Sequence, residues 1–285
     1  MSEATRDTSP TVRPRAYIVT IYGLYGRKLG GWLSVSSLIT LMQPLGVEEP
    51  AVRSSISRLK LRGIVEAERH DGVAGYTLSA QARTILARGD HRIYQPSPAT
   101  VADGWVLAVF SIPESERTQR HQLRSKLGAM GFGTVAPGVW IAPSYLEEDT
   151  RATLEAEGLM KYVDLFRATY TGAALAQVPQ WWDLSELSEG YRGFLENYQP
   201  VLDNWRRRRK RDDEAEAFGD LVRMMTAWRR LPYRDPGLPT ELLPHPWVGD
   251  EARGVFWSLL NRLETPAARF AESTARPATA VTGRG

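Results

Sequence analysis

The spacing of hydrophobic residues in the first third of the chain predicts three helices, a β-hairpin and a fourth helix, in that order. The first helix covers about Arg15–Lys28, and the second begins at one of Ser34, Ser36 or Ser37 and ends near Pro44. The third helix covers Glu48–Arg62. The hairpin strands cover Ile64–Arg69 and Tyr76–Leu78, and the fourth helix covers Ser79–Arg88. A six-residue tip, His70–Gly75, would join the two strands. This order of elements is typical of a winged helix-turn-helix domain.

The third predicted helix has one apolar stripe. Val52, Ile56 and Leu59 recur at i, i+4 and i+7 and would lie on one face. Pro50 suits the first helical turn, where its missing N–H needs no partner. The residues off the stripe carry hydroxyl or cationic groups: Arg53, Ser54, Ser57, Arg58 and Lys60.

Such a helix suits insertion into the major groove of DNA, because the backbone is anionic and the base edges offer acceptors that arginine can bind with two hydrogen bonds. We add Ser36 to the predicted DNA-binding residues, together with Arg69 and His70 near the hairpin tip, which would contact phosphate or the minor groove. Two alternatives remain open. The third helix is also typical of a solvated surface helix, and His70 of a loop histidine that is simply exposed.

The middle of the chain predicts the order β-α-β-(β)-α-β. The predicted strands are Trp105–Ile112, one or two within Val135–Ile141, and Tyr162–Thr169, and the predicted helices are Arg117–Met130 and Glu147–Glu157. This order is typical of a ferredoxin-like domain, in which both helices pack on one face of the sheet.

The last third is predicted to be helical, with helices at about Ser188–Arg208, Asp212–Arg230 and Asp250–Glu272 and a proline-rich, extended connection at Tyr233–Trp247. The predicted class is therefore α+β. The predicted organisation is a disordered tail (1–14), a winged helix-turn-helix domain (15–94), a linker (95–104), a ferredoxin-like domain (105–180), a helical domain (181–274) and a flexible tail (275–285).

Composition changes this picture little. The net charge is only +3, but residues 1–94 carry 13 Lys and Arg against 8 Asp and Glu, so the basic excess lies with the candidate DNA-binding helix. The absence of cysteine excludes disulfides and is compatible with a reducing compartment. No apolar run reaches the length of a membrane span, and the polar start of the chain does not resemble a signal peptide. We therefore expect a cytoplasmic protein without a membrane partner.

Motifs for catalysis are missing from the sequence. The four histidines show no metal-ligand spacing, and there is no GxSxG, no phosphate-binding GxxxxGK[ST] and no GxGxxG after a strand. We expect no catalytic residues, no metal and no cofactor.

Three blocks of sequence, in order, resemble the PaaX family, repressors of bacterial phenylacetate catabolism. They are Leu45-Gly46-Val47 with Ala51–Leu59; Trp105–Glu114, Arg124–Leu127, Gly131–Gly133 and Ala136–Ile141; and Tyr233–Pro239 with Leu242–Pro244, Trp247 and Gly249. The resemblance implies a winged helix, a middle domain similar to the ferredoxin-fold protein of CRISPR adaptation, and a helical C-terminal domain. It also implies a dimeric repressor that an aryl-acyl-CoA such as phenylacetyl-CoA releases from DNA, with Arg53, Ser54, Ser57 and Arg58 contacting the DNA. The CRISPR relatives bind a metal through an aspartate at the end of the first strand, where this chain has Ser111, so the middle domain looks structural.

For the effector, aromatic and cationic residues of the last third are candidates: Trp181, Trp182, Arg206, Tyr233 and Arg234. The tryptophans are equally typical of a hydrophobic core, and Arg234 with Asp235 of a structural ion pair. The run Arg206–Arg211 would either hold CoA phosphates or lie solvated at a helix end, before the acidic start of the next helix.

Two functions follow from these patterns. The first is a ligand-responsive repressor that binds an inverted repeat as a homodimer, because one short helix contacts few base pairs. Effector binding between the middle and C-terminal domains would change the spacing of the two winged helices. The alternative is an enzyme of nucleic-acid or acyl-CoA chemistry that uses the winged helix for docking.

Overall fold

The structure, a computed structural model, describes residues 14–94, 99–208 and 213–275. It contains α-helices and two antiparallel sheets, and its last third is helical, so the predicted α+β class and the helical C-terminal region are confirmed. The winged-helix and ferredoxin-like assignments stay predictions. The α-helices are α1 (Pro14–Ile21), α2 (Val35–Met42), α3 (Glu49–Leu61), α4 (Ala80–Tyr94), α5 (Arg117–Ala129), α6 (Glu147–Ala156), α7 (Ala174–Trp181), α8 (Leu184–Arg207), α9 (Glu214–Trp228), α10 (Leu231–Arg234) and α11 (Val248–Ala275).

The strands form one sheet of three and one sheet of four. They are β1 (Trp32–Ser34), β2 (Val65–His70), β3 (Val73–Leu78), β4 (Trp105–Phe110), β5 (Gly133–Ala136), β6 (Val139–Pro143) and β7 (Val163–Ala168). The strand order is β1-β3-β2 in the first sheet and β5-β6-β4-β7 in the second, with every described pair antiparallel.

The described chain forms two compact units. Unit 1 holds the residues up to Gly89 together with Tyr198–Ala227 and those from Phe256 onward, and unit 2 holds Asp90–Asn197 with Trp228–Val255. Segments of the last third therefore belong to each unit. The predicted boundary at residue 181 does not coincide with this division, which follows packing rather than chain order.

The helices α1, α2 and α3 begin and end as local sequence favours. Ser34 is the cap of α2, since its hydroxyl oxygen accepts a 2.9 Å hydrogen bond from the Ser37 N–H. The first predicted helix, Arg15–Lys28, is only partly α-helical, because α1 ends at Ile21 and a π-helical turn follows over Tyr22–Gly26. A side chain at position 26 would lie 2.6 Å from the Tyr22 ring, so glycine allows this wider turn.

The hairpin differs from its prediction at the tip. The six-residue tip is wrong, because β2 and β3 pair as far as His70 and Val73 and leave a two-residue turn at Asp71-Gly72. Both turn residues have positive φ, +50° and +79°. Asp-Gly is a favoured pair for such turns, since their twist matches that of the strands.

In unit 2, one face of the four-stranded sheet forms the core with α5 and α6. Alternate residues of β4 lie in this core, namely Val106, Ala108 and Phe110, together with Leu123 and Leu127 of α5 and Leu154 of α6. This arrangement agrees with the predicted positions of the strands and of both helices. Helix α7 was not predicted, because Pro179 within it masks the helical pattern.

Helix α4 and the last third depart from prediction in detail. Helix α4 continues to Tyr94, and α8 begins at Leu184 and accommodates Pro200. The segment Tyr233–Trp247 is not wholly extended, since α10 ends at Arg234 and a 3-10 turn covers Thr240–Leu242. Residues 1–13 and 276–285 of the predicted tails and residues 95–98 of the predicted linker lie outside the described residues. None of the described helices combines the length and the apolar character that a membrane crossing requires.

Candidate nucleic-acid interface

Helix α3 is held by its apolar stripe. Val52, Ile56 and Leu59 are at most 4% exposed, which confirms the predicted stripe. Glycines with positive φ precede and follow the helix, Gly46 at +71° and Gly63 at +66°. The backbone therefore turns sharply at both ends, and α3 is fixed in length and in the face that it buries.

The opposite face of α3 is exposed. All five residues that the sequence singled out there are exposed: Arg53, Ser54, Ser57, Arg58 and Lys60. Arg53 donates a 2.7 Å hydrogen bond from Nε to Glu49 Oε1, one turn earlier, with both side chains more than half exposed. Arg58 and Lys60 have no ion pair within the described part of the chain. The face thus presents cations and hydroxyls to solvent, as contact with DNA requires.

The two predicted hairpin residues are both exposed on β2. Arg69 donates to the Gly72 carbonyl oxygen at 3.3 Å, across the turn. His70 lies 2.8 Å from Glu68 Oε1, and its ring stacks on Trp32 with centroids 4.5 Å apart. Neither side chain is buried, so both are accessible to a ligand, and their contact with DNA stays a prediction.

Trp32 supports the hairpin and was not predicted to do so. Its indole Nε1 donates to the Glu68 carbonyl oxygen at 3.3 Å, and its ring lies over Gly75, where an added Cβ would be 2.3 Å away. The ring therefore spans β3 to reach β2. A large aromatic residue on a three-residue strand gives no local signal of this role.

Ser36 is exposed at the start of α2, and its hydroxyl shares a 2.8 Å hydrogen bond with that of Ser34. This places Ser36 beside the cap rather than in it. A further cation, Arg62, directly follows α3 and is exposed. Arg62 was not among the residues predicted to bind DNA, since the helix dipole alone favours a cation at the end of a helix.

C-terminal helices support the helices around α3. Arg223 of α9 donates a 2.7 Å hydrogen bond from Nη2 to the carbonyl oxygen of Pro44, in the turn before α3. A Cβ at Gly219 would lie 2.9 Å from that same oxygen, so the α9 backbone comes close to the turn. Ser37 of α2 donates to the Thr274 carbonyl oxygen of α11 at 3.0 Å. Packing in unit 1 therefore fixes α2 and the turn through residues from the far end of the chain.

A buried hydroxyl pair and aromatic stacking link α1 and the π-helical turn to α9, and α9 to α11. The hydroxyls of Thr20 and Thr226 lie 2.8 Å apart in the core. Phe218 of α9 stacks on Tyr25 with centroids 5.4 Å apart and packs against Phe270 of α11 at 5.2 Å. Each contact joins residues that are distant in sequence, so helical periodicity gave no sign of them.

A cleft of about 610 Å³ opens where α2 meets α9 and α11. Its lining is Thr40, Gln43, Pro44, Asp213, Ala215, Glu216, Asp220, Arg223 and Phe270. Burial raises the pKa of Asp220 above its usual range, although the hydrogen bond from Trp205 Nε1 and the nearby Arg223 act in the opposite direction. With three carboxylates and one guanidinium, the cleft is unfavourable for an anionic group.

The residues predicted to bind the effector are divided between the units. Trp181 and Trp182 are less than 10% exposed in unit 2, where Trp182 Nε1 donates to the Gly131 carbonyl oxygen at 2.9 Å. Arg234, also in unit 2, pairs with Glu186 at 3.3 Å, so the predicted pair with Asp235 is wrong. Asp235 instead accepts from the Tyr191 hydroxyl. The side chain of Tyr233 lies outside the described residues.

Arg206 lies in unit 1 and is exposed, 3.5 Å from Asp203. Of the run Arg206–Arg211, residues 209–211 lie outside the described residues. Arg208 forms two hydrogen bonds, of 2.5 and 2.6 Å, with Glu216 in the first turn of α9. At this position the cation is paired across the ends of two helices, rather than solvated or available to a CoA phosphate.

Comparison with known proteins matches three family models along the chain. They are described as PaaX-like protein at residues 13–82, PaaX protein central Cas2-like domain at 98–178, and PaaX-like protein C-terminal domain at 182–273. The chain belongs to the PaaX family. It is 28% identical over 258 residues to the transcriptional repressor PaaX of Escherichia coli (strain K12), an alignment that covers 88% of this chain and 81% of that protein.

A solved structure also shares the fold of this PaaX-family chain. An uncharacterised protein from Mycobacterium tuberculosis superimposes with a TM-score of 0.60 at 24% sequence identity. The match covers 91% of this chain and 98% of the other. The likeness extends over both units, and it concerns the fold alone.

Proposed function

We propose that this PaaX-family chain is a DNA-binding transcriptional repressor of phenylacetate-type catabolic genes, that it is a winged helix-turn-helix protein, and that α3 is its DNA-binding helix. The observation that carries the proposal is the division of α3 into a buried apolar stripe and an exposed face of cations and hydroxyls. The named relative is a transcriptional repressor, which sets aside the alternative of an enzyme that uses the winged helix for docking.

Each group on the exposed face has a distinct role. Arg53 and Arg58 contact guanine or phosphate, Ser54 and Ser57 contact phosphate or base edges, and Lys60 contacts the backbone. Arg69 and His70 on the hairpin contact phosphate or the minor groove. The pair of Arg53 with Glu49 exchanges for a DNA contact at little cost, because exposed ion pairs contribute only about 0–1 kcal/mol.

The repressor acts as a homodimer on an inverted repeat, since one α3 contacts too few base pairs for useful specificity. Its effector is an aryl-acyl-CoA such as phenylacetyl-CoA. The carboxylate-lined cleft beside α2 is a poor site for the CoA phosphates, so we place the effector at unit 2, near Trp181, Trp182 and Arg234. The middle four-stranded sheet is a ferredoxin-like domain with a structural role, and the protein works in the cytoplasm, where its DNA is.

The test is a binding titration with the full chain and duplexes that it selects from a random pool. Arg58→Ala is expected to reduce the dependence of log K on log salt by about one unit, because one phosphate contact is lost. Arg192→Ala, an exposed arginine on α8 outside the candidate sites, is the control and leaves the slope unchanged. An unaltered slope for Arg58→Ala and Lys60→Ala together would remove α3 from the interface.

The effector is tested on the same duplexes. Phenylacetyl-CoA is expected to lower DNA affinity by about 5- to 150-fold, the usual range of coupling between two sites. Free CoA and phenylacetate are the controls, and neither alone should release the duplex. Equal release by free CoA would show that the acyl group is not recognised.

A further inference from the structure

Leu61, the last residue of α3, is unusually exposed for a leucine. It is 87% exposed, whereas the other three large aliphatic residues of the helix are at most 4% exposed. Single exposed apolar residues are common on protein surfaces. The position of Leu61 therefore matters more than its exposure alone.

Helical geometry places Leu61 on the face proposed to contact DNA. It follows Ser57 by four residues and Ser54 by seven, so the three side chains lie on one face, away from the stripe of Val52 and Ile56. A leucine on a helix leans toward the preceding turn, which here carries Ser57. Leu61 thus extends the hydroxyl-bearing row with an apolar group.

Cations surround this apolar side chain. Arg58, Lys60 and Arg62 are exposed, and none forms an ion pair with another residue that the structure describes. An exposed leucine with three uncompensated positive charges around it is unsuited to a protein core or to an acyl chain. This combination of an apolar side chain and cations suits a polyanion that also offers an apolar group. Duplex DNA has an anionic backbone and presents such a group in the major groove.

We propose that Leu61 packs against the C5-methyl group of a thymine and determines the preference for thymine at that position. This rests on the proposed role of α3. The methyl group is the apolar group that a base pair presents in the major groove, and neither guanine nor cytosine carries one. Leucine offers no hydrogen bond, so it discriminates by contact area alone and complements the polar contacts of Ser54 and Ser57.

The experiment removes the Leu61 side chain and the thymine methyl group, first separately and then together. In duplexes that the full chain has selected, each thymine is replaced in turn by deoxyuridine, which lacks only the methyl group. Affinity is measured for the wild-type protein and for Leu61→Ala. Leu61→Met retains an apolar side chain of similar size, and Ile85→Ala removes an exposed aliphatic residue of α4, 53% exposed, as the matched control.

For the wild type, deoxyuridine at one thymine of each half-site is expected to weaken binding about three- to fivefold, the effect of one methyl contact. The same replacement should have less than a twofold effect with Leu61→Ala, and its full effect with Leu61→Met and Ile85→Ala. If every deoxyuridine affects Leu61→Ala and wild type equally, the proposal is overturned.

Two further results separate this proposal from its basis. In one result, Arg58→Ala weakens binding, but Leu61→Ala and the deoxyuridine replacements lower affinity independently of each other. This result would leave α3 in the groove and refute only the methyl contact. In the other result, Leu61→Ala forms a smaller assembly than the wild type in solution and binds all duplexes with equally reduced affinity. This result would place Leu61 in a contact between copies of the chain and also refute the proposal.

Discussion

The guanidinium of Arg223 donates a 2.7 Å hydrogen bond to the carbonyl oxygen of Pro44, across 179 residues of sequence. Its second nitrogen lies 3.2 Å from Asp220 Oδ1, which orients it. Pro44 lies in the turn before α3, so the C-terminal helix α9 holds the segment from which the candidate DNA-binding helix starts. The orientation of α3 therefore depends on residues that are distant in sequence from the candidate interface.

Arg223→Ala is expected to lower the free energy of unfolding by about 1–2 kcal/mol, because a charged hydrogen bond to the turn is lost and the buried Asp220 loses its cationic partner. DNA affinity should fall as well, since α3 is less firmly held. Denaturant unfolding and duplex titration measure the two effects. Arg253→Ala, an exposed pair with Asp250 at the same i,i+3 spacing, is the control and should change both by less than about 0.5 kcal/mol. An equal response of both variants would contradict the positioning role.

The hairpin is expected to respond to Gly75→Ala. The new methyl group would lie 2.3 Å from the Trp32 ring, which must then leave its place against His70. We expect a loss of about 1–3 kcal/mol in unfolding free energy, the usual cost of overpacking. In a Trp32→Ala background the same substitution should cost much less, and the double-mutant cycle measures this difference. A cost that is unchanged without the indole would show that the methyl group clashes elsewhere.

Arg53→Ala is expected to weaken specific DNA binding by about 1–3 kcal/mol, the range for an arginine that contacts a base. Glu49→Gln provides the opposite change, since it removes the carboxylate that holds Arg53 at 2.7 Å and competes with DNA. It should strengthen binding slightly or leave it unchanged. Fluorescence titration with a selected duplex measures both. Weaker binding by Glu49→Gln would mean that the ion pair orients Arg53 for its contact.

The buried Asp220 is expected to make stability depend on pH. Because burial raises its pKa in the folded state, the folded chain binds this proton more tightly than the unfolded chain does. Its contribution to stability therefore falls as pH rises from the unfolded pKa of about 3.9 to the raised folded pKa, and then stays constant. Asp220→Asn removes this change, so its stability relative to wild type should rise with pH across that window. Unfolding measured from pH 3.5 to 7 tests this; a difference that falls with pH would contradict it.

Local patterns were sufficient where neighbours in sequence decide the structure. The stripe of Val52, Ile56 and Leu59 predicted both the position of α3 and its buried face, because helical periodicity is a local property. The hairpin tip was misplaced because β3 begins with Val73, Ala74 and Gly75, where two exposed residues and a glycine weaken the strand pattern. Pro179 concealed α7 for a similar reason, since prolines usually mark the absence of a helix.

Contacts between distant residues were beyond local reasoning. Thr20 and Thr226 approach to 2.8 Å across 206 residues, and nothing in the pattern around either one signals the other. The same holds for Trp32, whose place over Gly75 depends on how three strands pair. For the candidate interface, the five exposed cations and hydroxyls of α3 were predicted, but the exposure of Leu61, the cation of Arg62 and the support from α9 and α11 were not.

Unit 1 draws on three separate stretches of the chain, residues up to Gly89, Tyr198–Ala227 and those after Phe256. The part of the chain proposed to bind DNA is therefore not a detachable module. A fragment that stops near residue 90 would leave the Tyr25 ring without Phe218 and the buried Thr20 hydroxyl without Thr226, and the apolar surface so exposed would favour aggregation. A chimaera that borrows a new operator specificity must exchange α9 and the end of α11 along with the first ninety residues, or else acquire its specificity by point substitutions on α3.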